Sequence, residues 1–384
     1  MNKVKLGIVG CGSTTRCMYG PIFKYLENGK FVAASDIEEE HARWAQNMYQ
    51  ANKIYTDRDQ MLADANVDAV IVGTPVYSHL DDVIAIAESG KHVLCEKPMA
   101  RTIAECDQMI QACEQNGVIL MVAFMKRFNK CFLQAKQMIE KGDLGRVFQV
   151  RVDWSFLSHP GGWRDSLPTW GGIYQDHGSH AIDLCRWWLG EIETVSGEID
   201  IIMKKREVED RAVAMFRHHG GAVSLHHMTR ISHKPIVELY EIMGTEGTLQ
   251  IEFKSTWSFT STEPFQMTLF RDGKTTTDVT PYNQGNLDDE LRSNAQYLME
   301  LSHFCDCVLN QLKPHTSGWD GRTAIEVINA VYLSSRNQIK VRIPLAKEVD
   351  LPSEFIRLQQ DKFGLRAYLC IPERKLGIPS GIWI

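Results

Sequence analysis

The segment Gly171–Asp183 carries the densest group of ionisable side chains in the sequence, with Asp176, His177, His180 and Asp183. Its apolar continuation predicts a helix, on which Asp176 and His180 are i and i+4 and share a face. A carboxylate there can orient an imidazole and fix its tautomer, which leaves the other ring nitrogen to accept a substrate proton. The spacing therefore predicts acid–base chemistry at His180.

Two other interpretations of this segment stay open. Its side chains are of types that ligate metals, but it lacks an HExxH pattern and a helix directs His177 away from His180, so we predict no metal. The second alternative is structural, with His180 hydrogen-bonded inside the core.

Lys97 is the other residue of chemical interest. It follows the apolar run His92–Cys95 and stands between Glu96 and Pro98. If that run is a buried parallel strand, Lys97 lies at its carboxyl end, where ligands bind in open parallel sheets. A partly desolvated amine at such a place can exchange protons near neutral pH. The alternative is a surface lysine paired with Glu96.

A glycine-rich loop follows the first apolar run and opens a helical stretch. Gly10, Gly12, Ser13 and Thr14 would present backbone N–H groups to a pyrophosphate at the helix N-terminus. The third position of this fingerprint is Thr15 instead of Gly or Ala, which puts close packing of helix on strand in doubt. The loop by itself is weak support for a dinucleotide.

Asp36 ends the second apolar run, near the ~20-residue spacing that follows such loops in dinucleotide-binding proteins. A carboxylate here accepts hydrogen bonds from the adenosine ribose and repels a 2′-phosphate, and no arginine follows it. The sequence therefore predicts NAD, with NADP less favoured. The alternative for Asp36 is an N-cap before Glu38–Glu40.

Thr74 and Pro75 follow the third apolar run, and His79 comes soon after them. The third strand end is expected beside the first and the fourth, so one crevice gathers all three. We therefore predict that Thr74, Pro75, His79, Glu96 and Lys97 all contact the cofactor.

Two regions of different periodicity must position these residues. Residues 1–125 alternate short apolar runs with helical stretches, which predicts an α/β Rossmann domain with a parallel sheet. Residues 126–346 hold long alternating runs joined by turns, which predicts an α+β domain with a large, mostly antiparallel open sheet. We predict that residues 347–384 are a C-terminal extension whose apolar end docks on the protein itself or on a neighbouring subunit, with disorder as the alternative. The strands predicted in the first region are Val4–Val9, Phe31–Ser35, Ala69–Val72, His92–Cys95 and Ile119–Ala123.

Composition excludes several classes of protein. The 384 residues are 44% hydrophobic and 23% charged, as in soluble globular proteins. A net charge of -6 without a basic tract argues against nucleic-acid binding. No apolar run reaches the ~20 residues of a membrane span. The chain opens in a strand pattern without a signal peptide, and its cysteines are scattered without a CxxC pair, so we expect a cytoplasmic protein.

In these motifs the chain resembles the Gfo/Idh/MocA oxidoreductases, such as glucose–fructose oxidoreductase and inositol dehydrogenase. The Glu-Lys-Pro and Asp-x-Gly-x-His pieces carry most of the specificity. The resemblance spans about residues 3–345, and its pieces are Gly7–Gly12, Asp36, Thr74-Pro75 with His79, Glu96-Lys97-Pro98, Gly142–Gly145, Gly171–Asp183 and Trp319–Ala324.

The resemblance implies a bound nicotinamide cofactor and oligomers formed through the sheet of the second domain. It also implies that Lys97, Asp176 and His180 surround the reacting carbon. His180 would accept the hydroxyl proton, Lys97 would hold the substrate oxygen, and Asp176 would position both. Further predicted cofactor contacts come from Arg127, Trp163 and Arg164, and a further substrate contact comes from Tyr174.

We therefore expect an NAD(P)-dependent dehydrogenase that takes hydride from a ring secondary hydroxyl of a sugar, cyclitol or glycoside. His159 and Trp170 suit a sugar ring, and Trp154 and Phe156 suit an aromatic aglycone, with core or interface packing as the alternative. One rival function is an NAD-retaining glycosidase of the same family that acts by transient oxidation. Another is a non-enzymatic sensor or assembly protein, against which the joint presence of Lys97 and His180 argues.

Overall fold

The structure is a computed structural model that describes residues 2–346, apart from 64–65, 159–161, 167–168, 170, 204–205, 254–264 and 282–288. For residues 162–163 and 289–294 it describes the backbone only. His159, Trp170, the side chain of Trp163 and the predicted C-terminal extension therefore lie outside the described part.

The first sheet has six parallel strands in the order β3-β2-β1-β4-β5-β6. Every residue of β4 is buried, as expected for a strand covered on both faces. Because the strand order reverses between β1 and β4, a crevice opens at the carboxyl ends of β1, β4 and β5. The elements are β1 (Val4–Val9), β2 (Gly29–Ser35), α1 (Glu39–Tyr49), β3 (Lys53–Tyr55), α2 (Arg58–Leu62), β4 (Ala69–Val72), α3 (His79–Glu88), β5 (His92–Cys95), α4 (Ile103–Gln115) and β6 (Leu120–Val122).

The second sheet has nine strands in the order β14-β13-β12-β11-β7-β10-β9-β8-β15. Its neighbours are antiparallel except for the parallel pair β7 and β10. Helices pack on one face, and the other face is open, so strand residues alternate between buried and exposed. The elements are α5 (Lys130–Lys141), β7 (Val147–Ser155), α6 (Ser179–Leu189), β8 (Ile192–Asp200), β9 (Arg211–His218), β10 (Val223–Thr229), β11 (Val237–Gly244), β12 (Thr248–Phe253), β13 (Gln266–Arg271), β14 (Thr275–Asp278), α7 (Asp289–Asn310), α8 (Gly318–Asn337) and β15 (Val341–Arg342).

The two late helices both pack against elements of the first domain. α7 follows β14 in sequence but packs against β1 and the turns that follow the glycine loop. α8 contacts α4 on one side and β8 on the other. α7 lies in the second region of the sequence but packs with the first sheet. The domain boundaries inferred from the sequence therefore remain a prediction. None of the helices in the described residues is both long and apolar enough to cross a membrane.

The predicted fold class is confirmed, and each strand predicted in the first region is present to within about two residues at either end. The strands predicted in the first region omit β3. It is only three residues long, so it carries no recognisable hydrophobic pattern. The helix expected after the glycine loop is irregular, with a π-helical turn over Thr15–Tyr19 and a 3-10 turn over Gly20–Tyr25.

Candidate active site

The glycine loop is shaped for close approach of a phosphate. Gly10 has a φ of +87°, and a Cβ there would lie 2.5 Å from the backbone nitrogen of Thr74, so only glycine fits. A Cβ at Gly12 would meet nothing within 4 Å, so this backbone faces open space. Ser13 and Thr14 follow at the start of the helical turn. An open backbone at a helix start fits the pyrophosphate of a dinucleotide.

Thr15 replaces the third glycine without loss of packing. Its side chain is fully buried, and its hydroxyl donates a 2.6 Å hydrogen bond to the carbonyl of Gly10. A Cβ on Gly73 would lie 2.8 Å from that hydroxyl, so Gly73 makes room for it. The departure from the fingerprint therefore strengthens the loop.

Asp36 lies at the end of β2 and supports the glycine loop directly. Its Oδ2 accepts a 2.7 Å hydrogen bond from the N–H of Cys11, and its Oδ1 accepts one of 2.9 Å from the N–H of Glu38. The N-cap residue of α1 is Glu38, so the N-cap alternative for Asp36 is wrong. Asp36 is thus placed between the loop and α1, where an adenosine ribose would lie.

The side chains of Thr74 and His79 form hydrogen bonds within the first domain, beneath the crevice. The hydroxyl of Thr74 donates to Asp82 at 2.6 Å. His79 is buried, with Nε2 at 2.8 Å from the Thr74 carbonyl and Nδ1 at 3.6 Å from Sγ of Cys95. Burial lowers the pKa of His79, and Nδ1 also lies 3.1 Å from the backbone carbonyls of Pro98 and Met99, so both ring nitrogens face groups of the protein itself. Both side chains therefore hold the loop around Pro75 and do not point to a cofactor.

Glu96 also faces inward. It is buried, and its carboxylate accepts hydrogen bonds from the Tyr19 hydroxyl at 3.0 Å and from the backbone N–H of Lys97 at 3.1 Å. Burial raises its pKa. The Lys97 ammonium does not pair with Glu96, so the surface-pair alternative for Lys97 is wrong.

Lys97 instead pairs with Asp176. Its Nζ lies 2.8 Å from Oδ1 and 3.3 Å from the backbone carbonyl of Asp176. Arg164 approaches the other carboxylate oxygen, with Nε at 3.2 Å from Oδ2. Burial alone would raise the pKa of Asp176, but Lys97, His177 and Arg164 together hold it well below its usual value. A carboxylate anchored by two cations fixes the position of both.

His180 is buried and interacts electrostatically with Lys97 and Asp176. It lies at the start of α6, is only 3% exposed, and its Nδ1 has no hydrogen-bond partner among the described residues. Burial, followed by the charges of Lys97 and Lys126, lowers the pKa of His180 well below its usual value. The ring is therefore neutral near pH 7 and able to accept a proton.

The expected orientation of His180 by Asp176 is wrong. The two residues are four apart as predicted, but Asp176 lies in a π-helical turn over Tyr174–Gly178, and its carboxylate binds Lys97 and Arg164. The cations attract the carboxylate more strongly than a neutral imidazole does. His180 is instead flanked by the rings of Phe124 and Trp154, with centroids at 6.0 and 6.2 Å.

Arg127 and Tyr174 are turned away from the crevice. Arg127 is buried and donates to Asp183 through Nε at 2.8 Å and to the His315 carbonyl at 2.8 Å. Tyr174 is fully buried, with its hydroxyl 3.3 Å from Nδ1 of His226. Because their polar atoms are used inside the protein, the predicted cofactor contact of Arg127 and substrate contact of Tyr174 do not fit the structure.

Trp154 at the end of β7 and Phe156 just after it are core residues. Trp154 and Phe156 are buried, and their rings lie 4.7 and 5.2 Å from the ring of His177. Neither can accept an aglycone, so the packing alternative holds for both. They shape the wall behind the site.

Sequence reasoning missed Glu209, which supports the turn over Tyr174–Gly178. Its Oε1 accepts the N–H of Tyr174 at 2.9 Å. Gly172 has a φ of +124°, and a Cβ there would lie 2.1 Å from Oε2 of Glu209. Burial raises the pKa of Glu209 to about 7. Glu209 lies far from Gly172 in sequence, and only the unusual pair Gly171-Gly172 hints at such a close approach.

Comparison with known proteins agrees with this geometry. Residues 4–124 match the model of an oxidoreductase family with an NAD-binding Rossmann fold, and residues 132–250 match the Gfo/Idh/MocA C-terminal domain. The chain belongs to the Gfo/Idh/MocA family. It is therefore an NAD-dependent oxidoreductase, and the resemblance inferred from the motifs is confirmed.

Several proteins that are similar to this chain have assigned activities. Myo-inositol 2-dehydrogenase of Thermotoga maritima is 28% identical, over 84% of this chain and 93% of that protein. The scyllo-inositol 2-dehydrogenase (NAD(+)) of Bacillus subtilis is 27% identical, over 90% of this chain and 98% of that protein. The crystal structure of aldose-aldose oxidoreductase from Caulobacter crescentus, complexed with glycerol, superposes with a TM-score of 0.79 at 26% identity, over 89% of this chain and all of that one.

Proposed function

We propose that the protein oxidises a ring secondary hydroxyl of a sugar, cyclitol or glycoside, with NAD as the hydride acceptor. The observation that carries the proposal is the Lys97–Asp176 pair beside the neutral ring of His180 at the carboxyl end of β5. The inositol dehydrogenases among the relatives support a polyol substrate.

The chain's own residues account for the proton and the developing charge. NAD, when bound against Gly10, Gly12 and Asp36, supplies the acceptor for hydride. Nζ of Lys97 hydrogen-bonds the reacting oxygen and stabilises the negative charge that grows on it. Nε2 of His180 takes the hydroxyl proton as the C–H bond breaks and the C=O bond forms. Asp176 holds Lys97 and can accept a hydrogen bond from a neighbouring hydroxyl.

The test is absorbance at the reduced-nicotinamide band with a panel of polyols and glycosides. Reduction of NAD by at least one of them, with the corresponding ketone as product, is expected. Failure of the whole panel together with failure to bind NAD would overturn the proposal. Free aglycone without accumulated NADH would favour the NAD-retaining glycosidase instead.

We also infer a homo-oligomer that uses the open face of the second sheet. Val213 and Met215 are 45% and 40% exposed there, beside a groove of about 570 Å³. Paired strands of alternating apolar and charged residues suit a self-complementary contact. Met215→Asp should reduce the mass measured by light scattering, whereas Met48→Asp, an exposed position on α1, should not.

The free thiols of the described cysteines support a reducing compartment, the cytoplasm.

A further inference from the structure

Arg230 is a buried arginine that binds a turn next to the proposed site. It follows β10 directly, is 1% exposed, and is among the largest fully buried side chains in the described part of the chain. A buried charge is costly unless it is paired and hydrogen-bonded. Nη1 of Arg230 donates to Oδ1 of Asp165 at 2.9 Å and to the backbone carbonyl of Arg164 at 3.2 Å. Both acceptors lie in the short 3-10 turn Gly162–Asp165, so the buried cation holds that turn in place.

A second arginine reaches the same carboxylate oxygen. Arg206 lies between β8 and β9 and is 6% exposed. Its Nη1 lies 2.8 Å from Oδ1 of Asp165, its Nη2 donates to the carbonyl of Ser158, and its Nε lies 3.9 Å from Oδ2 of Asp210. Hydrogen bonds between guanidinium groups and a carboxylate are strong because both partners are charged. Arg206 and Arg230 therefore form an arginine clamp around Asp165.

The turn that this clamp holds presents Arg164 to the active site. Arg164 precedes Asp165 in the chain, and its Nε lies 3.2 Å from Oδ2 of Asp176. The other oxygen of Asp176 lies 2.8 Å from Nζ of Lys97. A continuous series of contacts thus leads from the arginine clamp through Asp165 and Arg164 to the Lys97–Asp176 pair.

Burial increases along this series, from the crevice towards the clamp. The side chain of Arg164 is 33% exposed and that of Asp165 is 22% exposed, whereas those of Arg206 and Arg230 are 6% and 1% exposed. A partly exposed arginine loses rotamer entropy when it is ordered, and an exposed ion pair contributes little towards that cost. The backbone of Arg164 is fixed instead, because Arg230 binds its carbonyl and the clamp binds the next residue.

We propose that Asp165 is a positioning residue of the active site. Held by the arginine clamp, it keeps the guanidinium of Arg164 on the carboxylate of Asp176. The anchored carboxylate then holds the ammonium of Lys97 where the reacting oxygen binds. The inference rests on the proposed function, in which Lys97 binds that oxygen.

The test is a double-mutant cycle between Asp165→Asn and Arg164→Gln, with kcat/KM measured per folded enzyme. A neutral amide oxygen attracts two guanidinium groups less strongly than a carboxylate does, so the turn should loosen. In the wild-type background, Asp165→Asn should lower kcat/KM by about tenfold, because small displacements of groups at the reacting centre are costly. In the Arg164→Gln background it should lower kcat/KM by less than about twofold, because coupled residues do not give additive losses.

Asp200→Asn is the matched control. Asp200 has the same side-chain exposure as Asp165, 22%, and its Oδ2 lies 3.3 Å from Nη2 of Arg211. This variant should leave kcat/KM unchanged in both backgrounds. If Asp165→Asn does not fold, Arg206→Gln replaces it in the cycle, since Asp165 then keeps its contact with Arg230.

Two results of the cycle would overturn the inference. Equal losses in the two backgrounds would show that Asp165 affects the enzyme independently of Arg164, as a merely structural residue does. No loss in the wild-type background would show that the site does not depend on Asp165.

A second measurement does not depend on turnover. In protein labelled with ¹⁵N-arginine, the Nε–H signal of Arg164 is assigned by its loss in Arg164→Gln. Its exchange with water should be several-fold faster in Asp165→Asn than in the wild type or in Asp200→Asn, because the group is released from Asp176. An unchanged rate overturns the inference. Failure of the wild type to reduce NAD with any polyol overturns the proposed function instead, and the exchange rate still tests the position of Arg164.

Discussion

The ammonium of Lys97 lies 2.8 Å from Oδ1 of Asp176, which joins the end of β5 in the first sheet to the turn before α6 in the second domain. Lys97 is 19% exposed at its side chain and Asp176 is 5% exposed, so the carboxylate is buried and the amine faces the crevice. The pair therefore closes the site between two separate parts of the fold. The two residues are 79 positions apart in the sequence.

Replacement of Lys97 by Met should lower kcat/KM by about 100- to 10,000-fold, because the developing oxyanion loses its cation. NAD affinity should change little, since no described contact of Nζ involves the glycine loop. Steady-state kinetics and cofactor titration by fluorescence measure both. Lys30→Met, at an exposed position on β2, is the control. Equal activity of Lys97→Met and wild type would contradict the proposed mechanism.

Asp36→Asn should relax the preference for NAD over NADP by roughly tenfold in the ratio of kcat/KM values, because the repulsion of a 2′-phosphate is removed. The amide oxygen can still accept the N–H of Cys11 in the glycine loop, whereas the hydrogen bond from the N–H of Glu38 is lost. Kinetics with the two cofactors at one substrate concentration give the ratio. Glu38→Gln, two residues along, should leave it unchanged. If Asp36→Asn leaves the ratio unchanged, the adenosine ribose does not bind beside Asp36.

Glu209→Gln should alter the pH dependence of stability. The folded pKa of about 7 lies above the reference value of 4.5, so folding retains a proton that the unfolded chain releases between these values. Wild-type stability should therefore fall as pH rises from 4.5 to 7, by at most about 3 kcal/mol. Urea unfolding at several pH values measures this. The fall should be smaller in Glu209→Gln and unchanged in Glu193→Gln. An equal slope in all three proteins would show that Glu209 titrates normally.

Gly172→Ala should destabilise the protein by about 3 kcal/mol or more and lower kcat, because the new methyl would overlap the Glu209 carboxylate at a φ of +124°. Gly221→Ala is the matched control: its φ is +84°, but a Cβ there meets nothing within 4 Å. That variant should lose only about 1 kcal/mol. Thermal unfolding and kinetics distinguish the two. Equal losses would show that backbone strain, and not the contact with Glu209, explains the effect.

Much of the site was predictable because it consists of local patterns. In a doubly wound sheet, the strand order decides which strand ends meet at the ligand crevice. The glycines after the first strand, the acid after the second and the lysine after the fourth predicted strand could therefore be assigned to that crevice. The order of the motifs then identified the family. Even Asp176 and His180 were found from their spacing, although the contact expected between them was not.

The sequence by itself determined the fold class, the cofactor crevice and the three residues proposed to act on the substrate. Only the tertiary structure decided which groups they contact. Asp176 binds Lys97 and not His180, and Tyr174 points into the core. Arg127 joins α6 to α8 through ion pairs with Asp183 and Asp320. The physical reason is that hydrophobic periodicity specifies which face of an element is buried. The partner of a buried polar group is set by whichever opposite charge or hydrogen-bonding group the packing of distant segments brings within about 3 Å.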